Sequence, residues 1–464
     1  MVFSSNVFLF LFLPAFLAAY YLCPNRHRSY LIVGGSYAFY AWWRVDFLFL
    51  FIGITVFNYW IGQAIHARGA RTDAAQRWLI AGVAGDLGVL GYFKYANFGV
   101  DSFNTIVTAA GFEPFAWAAI ILPIGISFYT FEAISYIADV YRGDCEPVRK
   151  PIDFACFLAL FPHLIAGPVF RYKDLDEQFR TRTHTLDKFA EGSARFMQGF
   201  VKKVFIADSI APLVEQGYAL SDPTTADAWL TALAYTAQLY FDFSGYTDMA
   251  IGLGLMMGFR FVENFNQPYI SQSITEFWRR WHMSLSAWLR DYLYIALGGN
   301  RHGTAATYRN LFLTMLLGGL WHGANWTFAL WGAWHGAILA IERALGVKAD
   351  APRFNPARWL FTLLLIVLGW VMFRAASVDQ ALAMYAAMFR FDGAGLSELY
   401  AGGITTLQVA TLALAFAVVL VRGLGQRRKN GDAHHFPEQG HAHQLPRSEN
   451  GVRPYFAVAV LLPL

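Results

Sequence analysis

Charged residues are scarce in this sequence. Only 15% of its 464 residues are Asp, Glu, Lys or Arg, whereas a soluble domain usually carries about 25%. Hydrophobic residues make up 56% of the chain and aromatic residues 17%, and the mean hydropathy is +0.37. This composition excludes an ordinary soluble domain and predicts an integral membrane protein. The net charge of +4 is small, and the basic residues lie in short loops rather than in one patch, so we expect no nucleic-acid partner.

Cysteine is also rare. Cys23, Cys145 and Cys156 are far apart and form no CxxC pair, which excludes a disulfide framework and a cysteine zinc site. Glycine-rich phosphate loops, Walker motifs, GxSxG and HExxH do not occur in the sequence. We therefore expect no bound metal and no bound cofactor.

Apolar segments recur along the whole chain. The first segment, MVFSSNVFLFLFLPAFLAAYYL, has no basic n-region and no A-x-A cleavage site, so we interpret it as a retained membrane helix rather than a signal peptide. Met1–Asn6 lacks Lys and Arg, whereas Arg26 and Arg28 follow the segment. The positive-inside rule then predicts an N-terminus outside the cytoplasm.

The fold class predicted from these segments is an all-α polytopic membrane protein. At about 20 residues per span, the chain would form roughly 9 to 11 spanning or half-spanning helices, with amphipathic helices at the interface. We predict a single membrane domain over 1–464, with 422–450 as a hydrophilic cytoplasmic loop inside it. No inverted repeat is visible, which weakens a transporter interpretation.

The end of the chain holds two ambiguous features. A histidine-rich tract lies in the predicted loop and contains His434, His435, His441 and His443. Such a tract can bind metal, but a solvated loop is the favoured interpretation. The apolar piece at 455–464 is too short to span a bilayer. It predicts either a longer native chain or an end that lies in the interface.

Several ionisable residues lie inside apolar segments. Glu132 and Asp139 are seven residues apart and so share one face of a helix, and Asp86 and Lys94 are placed in a similar way. Such residues face the bundle interior or a water-filled cavity. A structural pair with an Arg or Lys is favoured over a functional role.

Two segments look irregular or polar at membrane depth. Pro162, Gly167 and Pro168 interrupt 151–170, which also contains His163, so we predict a broken segment that lines a cavity; two short interfacial helices are the alternative. Within 227–259, Asp242 and Asp248 are six residues apart. They predict either a polar cavity lining or a helix break held by side-chain hydrogen bonds, rather than a metal site.

Residues 274–297 read as an interfacial amphipathic helix. Apolar residues recur at spacings of four and three, namely Phe277, Trp281, Leu285, Trp288 and Tyr292. The other face is charged, and His282 would share a face with Arg279 and Ser286. Binding of the basic face to lipid phosphates is favoured by periodicity alone. The functional alternative is that Arg279, Arg280 and Arg290 attract an anionic donor.

The stretch Leu317–Asn325, LGGLWHGAN, places a histidine in an apolar run. On a helix, Gly318 and Gly319 would lie one turn before His322. They would leave a groove beside the imidazole that is wide enough for a thin ligand or another backbone. Asn325 could then hold one ring nitrogen. The second Trp-His-Gly contains His335, about 20 Å further along a continuous helix, so His322 and His335 could share a site only if the chain bends between them.

Five stretches together carry a resemblance to a known family. They are LPIGISFYTFEAISYIADVYRGD, LALFPHLIAGPVFRY, QLYFDFSGYTDMAIGLGLMMGF, NFNQPYISQSITEFWRRWHMSLSAWLRDYLYIALGGNR and LTMLLGGLWHGANW. The chain from Met1 to about Val421 resembles the membrane-bound O-acyltransferases, in particular the alginate O-acetyltransferase branch of Gram-negative bacteria. The part after Arg422 matches least.

The resemblance implies a ring of helices around a funnel in the bacterial inner membrane. It implies that acetyl passes from cytoplasmic acetyl-coenzyme A to periplasmic acetyltransferase proteins, which modify an exported polysaccharide together with its secretion machinery. It places the family's active-site histidine on His322 and its second histidine on His282. The expected lining of the site is Gly318, Gly319, Trp321, Asn325, His163 and Asp242, and His335 is a further candidate.

Elementary chemistry agrees with the histidine assignment. A buried imidazole stays neutral near pH 7, as a base or nucleophile in acetyl transfer must. The arginines around His282 would meet coenzyme phosphates. Two alternatives remain open from the residues alone: a transporter of an acyl intermediate, and a non-catalytic scaffold for periplasmic acetyltransferases.

Overall fold

A computed structural model describes residues 1–347, 354–393 and 395–430, and every regular element among them is a helix. The first half of the chain contains α1 (Leu13–Leu22, continuing a π-helical turn at Phe8–Phe12), α2 (Arg28–Ala41), α3 (Val45–His66), α4 (Asp73–Ala109), α5 (Ile126–Arg142), α6 (Pro151–Ala159), α7 (Phe161–Leu164), α8 (Tyr172–Thr181), α9 (Leu186–Phe200) and α10 (Asp208–Ala219). A π-helical segment at Val201–Ala207 joins α9 to α10.

The second half begins with a long helix and continues with shorter ones. Its helices are α11 (Thr225–Met256), α12 (Ile274–Trp278), α13 (Met283–Trp288, followed by a π-helical turn at Leu289–Tyr294), α14 (Gly303–His322), α15 (Trp326–Ala344), α16 (Pro356–Arg374), α17 (Val378–Met388), α18 (Glu398–Gly403) and α19 (Thr406–Asn430). The chain is thus all-helical over its described residues, as the sequence predicted.

Three described helices are long and apolar enough to cross a membrane. They are α3, α16 and the part of α19 at Thr406–Gly425, with mean hydropathies of 1.7, 1.8 and 2.0. The first apolar helix, Phe8–Leu22, is shorter. The predicted total of roughly 9 to 11 spans and the arrangement around a funnel stay predictions.

Four glycines let α9 and α11 cross in close contact. Gly192 and Gly199 lie seven residues apart on α9, and Gly245 and Gly252 are seven apart on α11. A Cβ on Gly252 would lie 2.5 Å from Gly192 O, and one on Gly199 would lie 2.6 Å from Met249 N. Small residues at such a crossing let two backbones approach closely, as in membrane helix pairs.

The acidic residues of α11 connect this crossing to its neighbours. Asp248 lies 2.6 Å from Lys202 Nζ and 2.7 Å from an Arg195 guanidinium nitrogen, and Asp242 lies 2.5 Å from Lys203 Nζ. Helix α11 runs through both aspartates without a break, so the helix break is the wrong one of the two predicted alternatives, whereas Asp248 does line a polar cavity. Asp242 joins α11 to the segment at Val201–Ala207.

Both buried acids of α5 have structural partners, but only Asp139 has the basic partner, a lysine, that the sequence favoured; the partner of Glu132 is a histidine. Glu132 lies 3.1 Å from His163 Nε2, and both side chains are buried. Asp139 accepts a hydrogen bond of 2.8 Å from Tyr292 Oη and lies 3.5 Å from Lys173 Nζ. His163 is therefore the partner of Glu132.

The segment at 151–170 is broken, as its prolines and glycine predicted. Helices α6 and α7 are separated by Leu160, and no helix follows Leu164 until α8. Pro162 lies within the single turn of α7.

The predicted continuous helix at 274–297 is wrong. Helix α12 ends at Trp278, and α13 begins at Met283 after His282, which has φ 46° and ψ 53°. His282 therefore does not share a helical face with Arg279 and Ser286. The whole aromatic stripe is nevertheless buried in the protein core, which shows that it packs against other helices.

The end of the chain differs from the sequence prediction where the structure describes it. Residues 422–430 continue α19, so the predicted loop does not begin at 422. The four histidines of the tract and the apolar piece at 455–464 lie outside the described residues.

Candidate active site

His322 is the last residue of α14. Gly323 is extended, with φ −163°, and α15 begins at Trp326. The side chain of Asn325 caps α15 by accepting from Thr327 N at 3.1 Å, and its amide donates to Ala376 O at 2.9 Å. The chain thus bends between His322 and His335, and Asn325 holds this bend. The expectation that Asn325 holds the imidazole is wrong.

The glycine pair before His322 belongs to a helix–helix contact. A Cβ on Gly319 would overlap Phe328 O and lie 2.9 Å from the Cα of Gly332 on α15. On Gly318 it would lie 3.2 Å from Leu289 Cδ1. The predicted groove is therefore filled by another backbone at Gly319, and neither glycine lies in the cavity described below.

Asn264 fixes the orientation of the His282 ring through its Nδ1 atom. Asn264 Oδ1 accepts from Ser284 N at 3.2 Å and from Ser284 Oγ at 2.9 Å, and it lies 3.2 Å from His282 Nδ1. Because a backbone N–H can only donate, this atom of Asn264 must be the oxygen. His282 Nδ1 must then donate, which leaves the lone pair of a neutral ring on Nε2.

The two histidines meet in one cavity of about 200 Å³. The centroids of the His282 and His322 rings are 6.4 Å apart. The cavity is lined by Lys94, Ser127, Phe128, Leu239, Phe243, Trp281, His282, Trp321, His322, Trp331, Trp370 and Phe373. Its walls are thus apolar and mostly aromatic except for two imidazoles, one hydroxyl and one amine.

Aromatic rings fix the position of His322. Its ring centroid lies 5.2 Å from those of Trp331 and Phe373, and 5.0 Å from that of Trp321. Trp331 lies between the two Trp-His-Gly histidines, because its ring is also 4.9 Å from that of His335. His335 itself accepts a hydrogen bond of 3.3 Å from Trp278 Nε1 and supports the cavity wall from outside.

The structure brings together only some of the residues predicted for the site. His282, His322 and Trp321 line the cavity. Asp242 and His163 do not line it, since they form the ion pairs described above. Sequence reasoning missed the contributions of Asn264, Ser127 and Lys94 to the site. Lys94 carried a signal, because an amine inside an apolar segment is costly.

The three predicted donor-binding arginines differ in their surroundings. Arg280 is buried and lies 3.0 Å from Glu276 Oε1, and it also donates to Asn266 O. It is therefore a structural residue, contrary to prediction. Arg279 and Arg290 are exposed, and Arg290 lies 2.7 Å from Asp291.

A second cavity, of about 230 Å³, has a polar lining. It is lined by Arg195, Gln198, Lys202, Tyr240, Thr247, Asp248, Glu263, Asn264, Phe265, Asn266, Gln267 and Arg422. Asn264 is shared by the two sites, since it lines the polar cavity and also contacts His282 Nδ1. Thr247 Oγ1 and Asn264 Nδ2 are buried there without a hydrogen-bond partner.

Similarity to known proteins shows the family to which this chain belongs. Residues 148–384 match the sequence model of the membrane-bound O-acyltransferases. The chain is also 69% identical over 426 residues to a probable alginate O-acetylase of Azotobacter vinelandii, which covers 92% of this chain and 85% of the relative. The chain belongs to the membrane-bound O-acyltransferase family.

Two further relatives are also O-acetyl-transferring proteins by name. A probable alginate O-acetylase of Pseudomonas aeruginosa is 70% identical over 92% of this chain and 82% of its own length. A peptidoglycan O-acetyltransferase of Helicobacter pylori is 37% identical over 86% of this chain and 82% of its own length. This membrane-bound O-acyltransferase is thus an enzyme that transfers an acyl group. The described residues contain no group of three or more His, Cys, Asp or Glu side chains that could hold a metal ion.

Proposed function

We propose that this acyltransferase takes acetyl from cytoplasmic acetyl-coenzyme A and passes it across the bacterial inner membrane for O-acetylation of an exported polysaccharide, most simply alginate. The names of the relatives support the acceptor, since two of them are probable alginate O-acetylases. Periplasmic acetyltransferase proteins would receive the acetyl group and work with the secretion machinery. The N-terminus would face the periplasm.

One observation carries the catalytic part of this proposal. His282 precedes α13 and His322 ends α14, 40 positions later in the sequence (322 − 282), yet their rings share one cavity at a centroid distance of 6.4 Å. We assign His322 as the general base that takes the proton of the attacking hydroxyl. His282 presents its Nε2 lone pair to the same cavity and orients the second reactant. Both histidines touch the reacting groups.

The donor enters, in this proposal, from the polar cavity on the other side of Asn264. Three cationic side chains line that cavity, Arg195, Lys202 and Arg422, against the two acidic ones of Asp248 and Glu263. Guanidinium and amide groups bind phosphate oxygens well.

Arg422 is the residue to replace in a test of this entrance, because it lines the polar cavity and is exposed. Arg422→Gln is expected to raise KM for acetyl-coenzyme A and leave kcat unchanged. Arg279 and Arg290, which are also exposed, are the alternative phosphate contacts, and a larger KM increase in Arg279→Gln or Arg290→Gln would favour them.

The decisive experiment uses the purified full chain in liposomes with labelled acetyl-coenzyme A and the periplasmic acceptor protein. We expect His322→Ala to abolish transfer of label and His282→Ala to reduce it strongly. His27→Ala changes an exposed histidine and serves as the matched control. Transfer that persists in His322→Ala would refute the assignment of the base.

The same assay separates the two rival functions. A transporter would move a labelled solute into the liposomes without cleaving the thioester. A scaffold would leave acetylation of the acceptor intact in His322→Ala, while acceptor binding would depend on other surfaces. Release of free coenzyme A that requires His322 would exclude both.

A further inference from the structure

Lys94 brings an amine into the acyltransfer cavity. It lies on α4, and its Nζ is 3.0 Å from Ser127 Oγ and donates a short hydrogen bond to Trp321 O. The next residue, Tyr95, donates from its hydroxyl to Leu320 O at 2.8 Å. These two side chains therefore cap successive carbonyls in the last turn of α14, next to His322. Such carbonyls have no intrahelical partner.

Two contacts of Lys94 stabilise a positive charge on its amine and so oppose the cost of burial. A helix C-terminus carries a partial negative charge, which stabilises a nearby cation, and the Trp321 carbonyl can only accept. The Lys94 Nζ also lies 5.5 Å from the centroid of the Trp321 ring, within the range of a cation–π interaction. Lys94 is the only Lys, Arg, Asp or Glu among the residues that line the cavity.

The ammonium has more donors than the protein uses. A lysine ammonium carries three N–H groups and no acceptor. Ser127 Oγ and Trp321 O account for two of them. The third remains for a group inside the cavity, where apolar walls strengthen any electrostatic interaction.

We propose that this third N–H of Lys94 stabilises the oxyanion of the acyl transfer. The proposal rests on the proposed function, with a thioester donor and His322 as base. His322 takes the proton of the acceptor hydroxyl, and the oxygen forms a bond to the acetyl carbonyl carbon. The carbonyl π pair moves onto its oxygen, next to Lys94. When that pair returns, the C–S bond breaks, and the leaving sulfur takes the proton held by His322.

Lys94 thereby acts on the transition state rather than on binding. Charge on the carbonyl oxygen is much larger in the tetrahedral intermediate than in the bound thioester, so a fixed cation lowers the barrier without tightening the ground state. Loss of one such donor reduces kcat by about 100- to 1000-fold in other acyl-transfer enzymes. Lys94→Met keeps the length of the side chain and removes the charge. We expect it to lower kcat by about 100-fold with KM for acetyl-coenzyme A unchanged.

Tyr95→Phe is the matched control. It removes the neighbouring cap on α14 but no group of the cavity, since Tyr95 is not among the lining residues. We expect near-normal kcat for this variant. Lys94→Arg retains a positive charge and several donors. We expect its kcat to lie between those of Lys94→Met and the unchanged protein.

The measurement is steady-state release of coenzyme A by purified protein with acceptor, alongside thermal denaturation of each variant. Equal losses of kcat in Lys94→Met and Tyr95→Phe, or a rise in KM alone, would show that Lys94 only caps the helix. Full activity in Lys94→Met with an inactive His322→Ala would overturn the oxyanion assignment alone. Activity in both variants would overturn the proposed function as well.

A covalent alternative is decided by the same samples. If Lys94 were an uncharged base, Ser127 would become acetylated and would carry the group to the acceptor. Mass spectrometry of rapidly quenched protein is expected to find no acetyl on Ser127. Stoichiometric acetyl-Ser127 would refute a charged Lys94.

Discussion

His282 lies in a backbone conformation that residues other than glycine rarely adopt. Its φ is 46° and its ψ 53°, at the break between α12 and α13. The left-handed conformation costs an ordinary L-residue about 1–2 kcal/mol, whereas glycine has no such penalty. Strain of this kind persists where the surroundings over-determine it, often at functional sites. We therefore predict that the preference between Ala and Gly at position 282 is the reverse of that in a helix.

The size of the effect follows from comparing two variants that lose the same imidazole. His282→Gly avoids about 1–2 kcal/mol of strain and adds about 0.4–1 kcal/mol of unfolded-state entropy. It should therefore be roughly 1 kcal/mol more stable than His282→Ala. At His335, inside α15, the same comparison should favour Ala by about 1 kcal/mol.

The assay is the free energy of unfolding in mixed micelles of dodecyl maltoside and increasing SDS, followed by circular dichroism. Both variants at position 282 should lack acetyl transfer, so stability and activity are separated. If His282→Ala is as stable as His282→Gly, or if both positions show the same preference, His282 is not held in a strained conformation and this reasoning fails.

Two further predictions concern packing and use the same unfolding assay. Gly199→Leu should lower the free energy of unfolding by at least about 1–3 kcal/mol, because its Cβ would overlap Gly245 O. Gly88→Leu is the control, since a Cβ on Gly88 would meet no neighbouring element within 4 Å. Equal stability of the two variants would contradict the close crossing of α9 and α11. His163→Leu should cost about 3–5 kcal/mol by stranding the Glu132 carboxyl, and Glu132→Leu combined with it should recover most of that loss; additive losses would show that the two groups do not interact.

The sequence predicted the features that depend on local chemistry. Composition alone established the membrane class, and Pro162 and Gly167 predicted the broken segment at 151–170. Glu132 was expected to have a structural partner because an isolated charge at membrane depth is costly. In each case a single residue type restricts the backbone or requires a partner, so no knowledge of neighbouring helices is needed.

The break in the helix at His282 could not be predicted from the sequence, because no residue near it is typical of a helix end. Residues Phe277, Trp281 and Leu285 follow a helical period, and no glycine or proline lies between Trp278 and Met283. The turn is held instead by tertiary contacts: Asn266 N donates to Arg280 O, and Met283 N donates to Asn264 O. These contacts come from the preceding loop, so periodicity along one segment could not reveal them.

The glycines before His322 show a second limit of sequence-based prediction. Their spacing correctly indicated a close approach, but a missing side chain does not say what approaches. The structure shows the backbone of α15 at Gly319, and neither glycine lines the cavity. Substitution of Gly319 is therefore expected to disrupt the α14–α15 contact first, and loss of acetyl transfer in such a variant would not identify a substrate path.

Both histidines of the site lie where a helix is interrupted, and this shared position explains how the cavity can exist. His322 ends α14, and His282 precedes α13. Irregular backbone inside a membrane protein is tolerated only where protein or a water-filled cavity surrounds it. The unpaired backbone groups at these two helix interruptions therefore need polar side chains as hydrogen-bond partners. Asn264 supplies those groups at His282 and Lys94 supplies them at the end of α14. The residues that satisfy the broken backbone are thus the same ones that fix the reactive side chains, which is why we expect their replacement to affect the rate more than substrate binding.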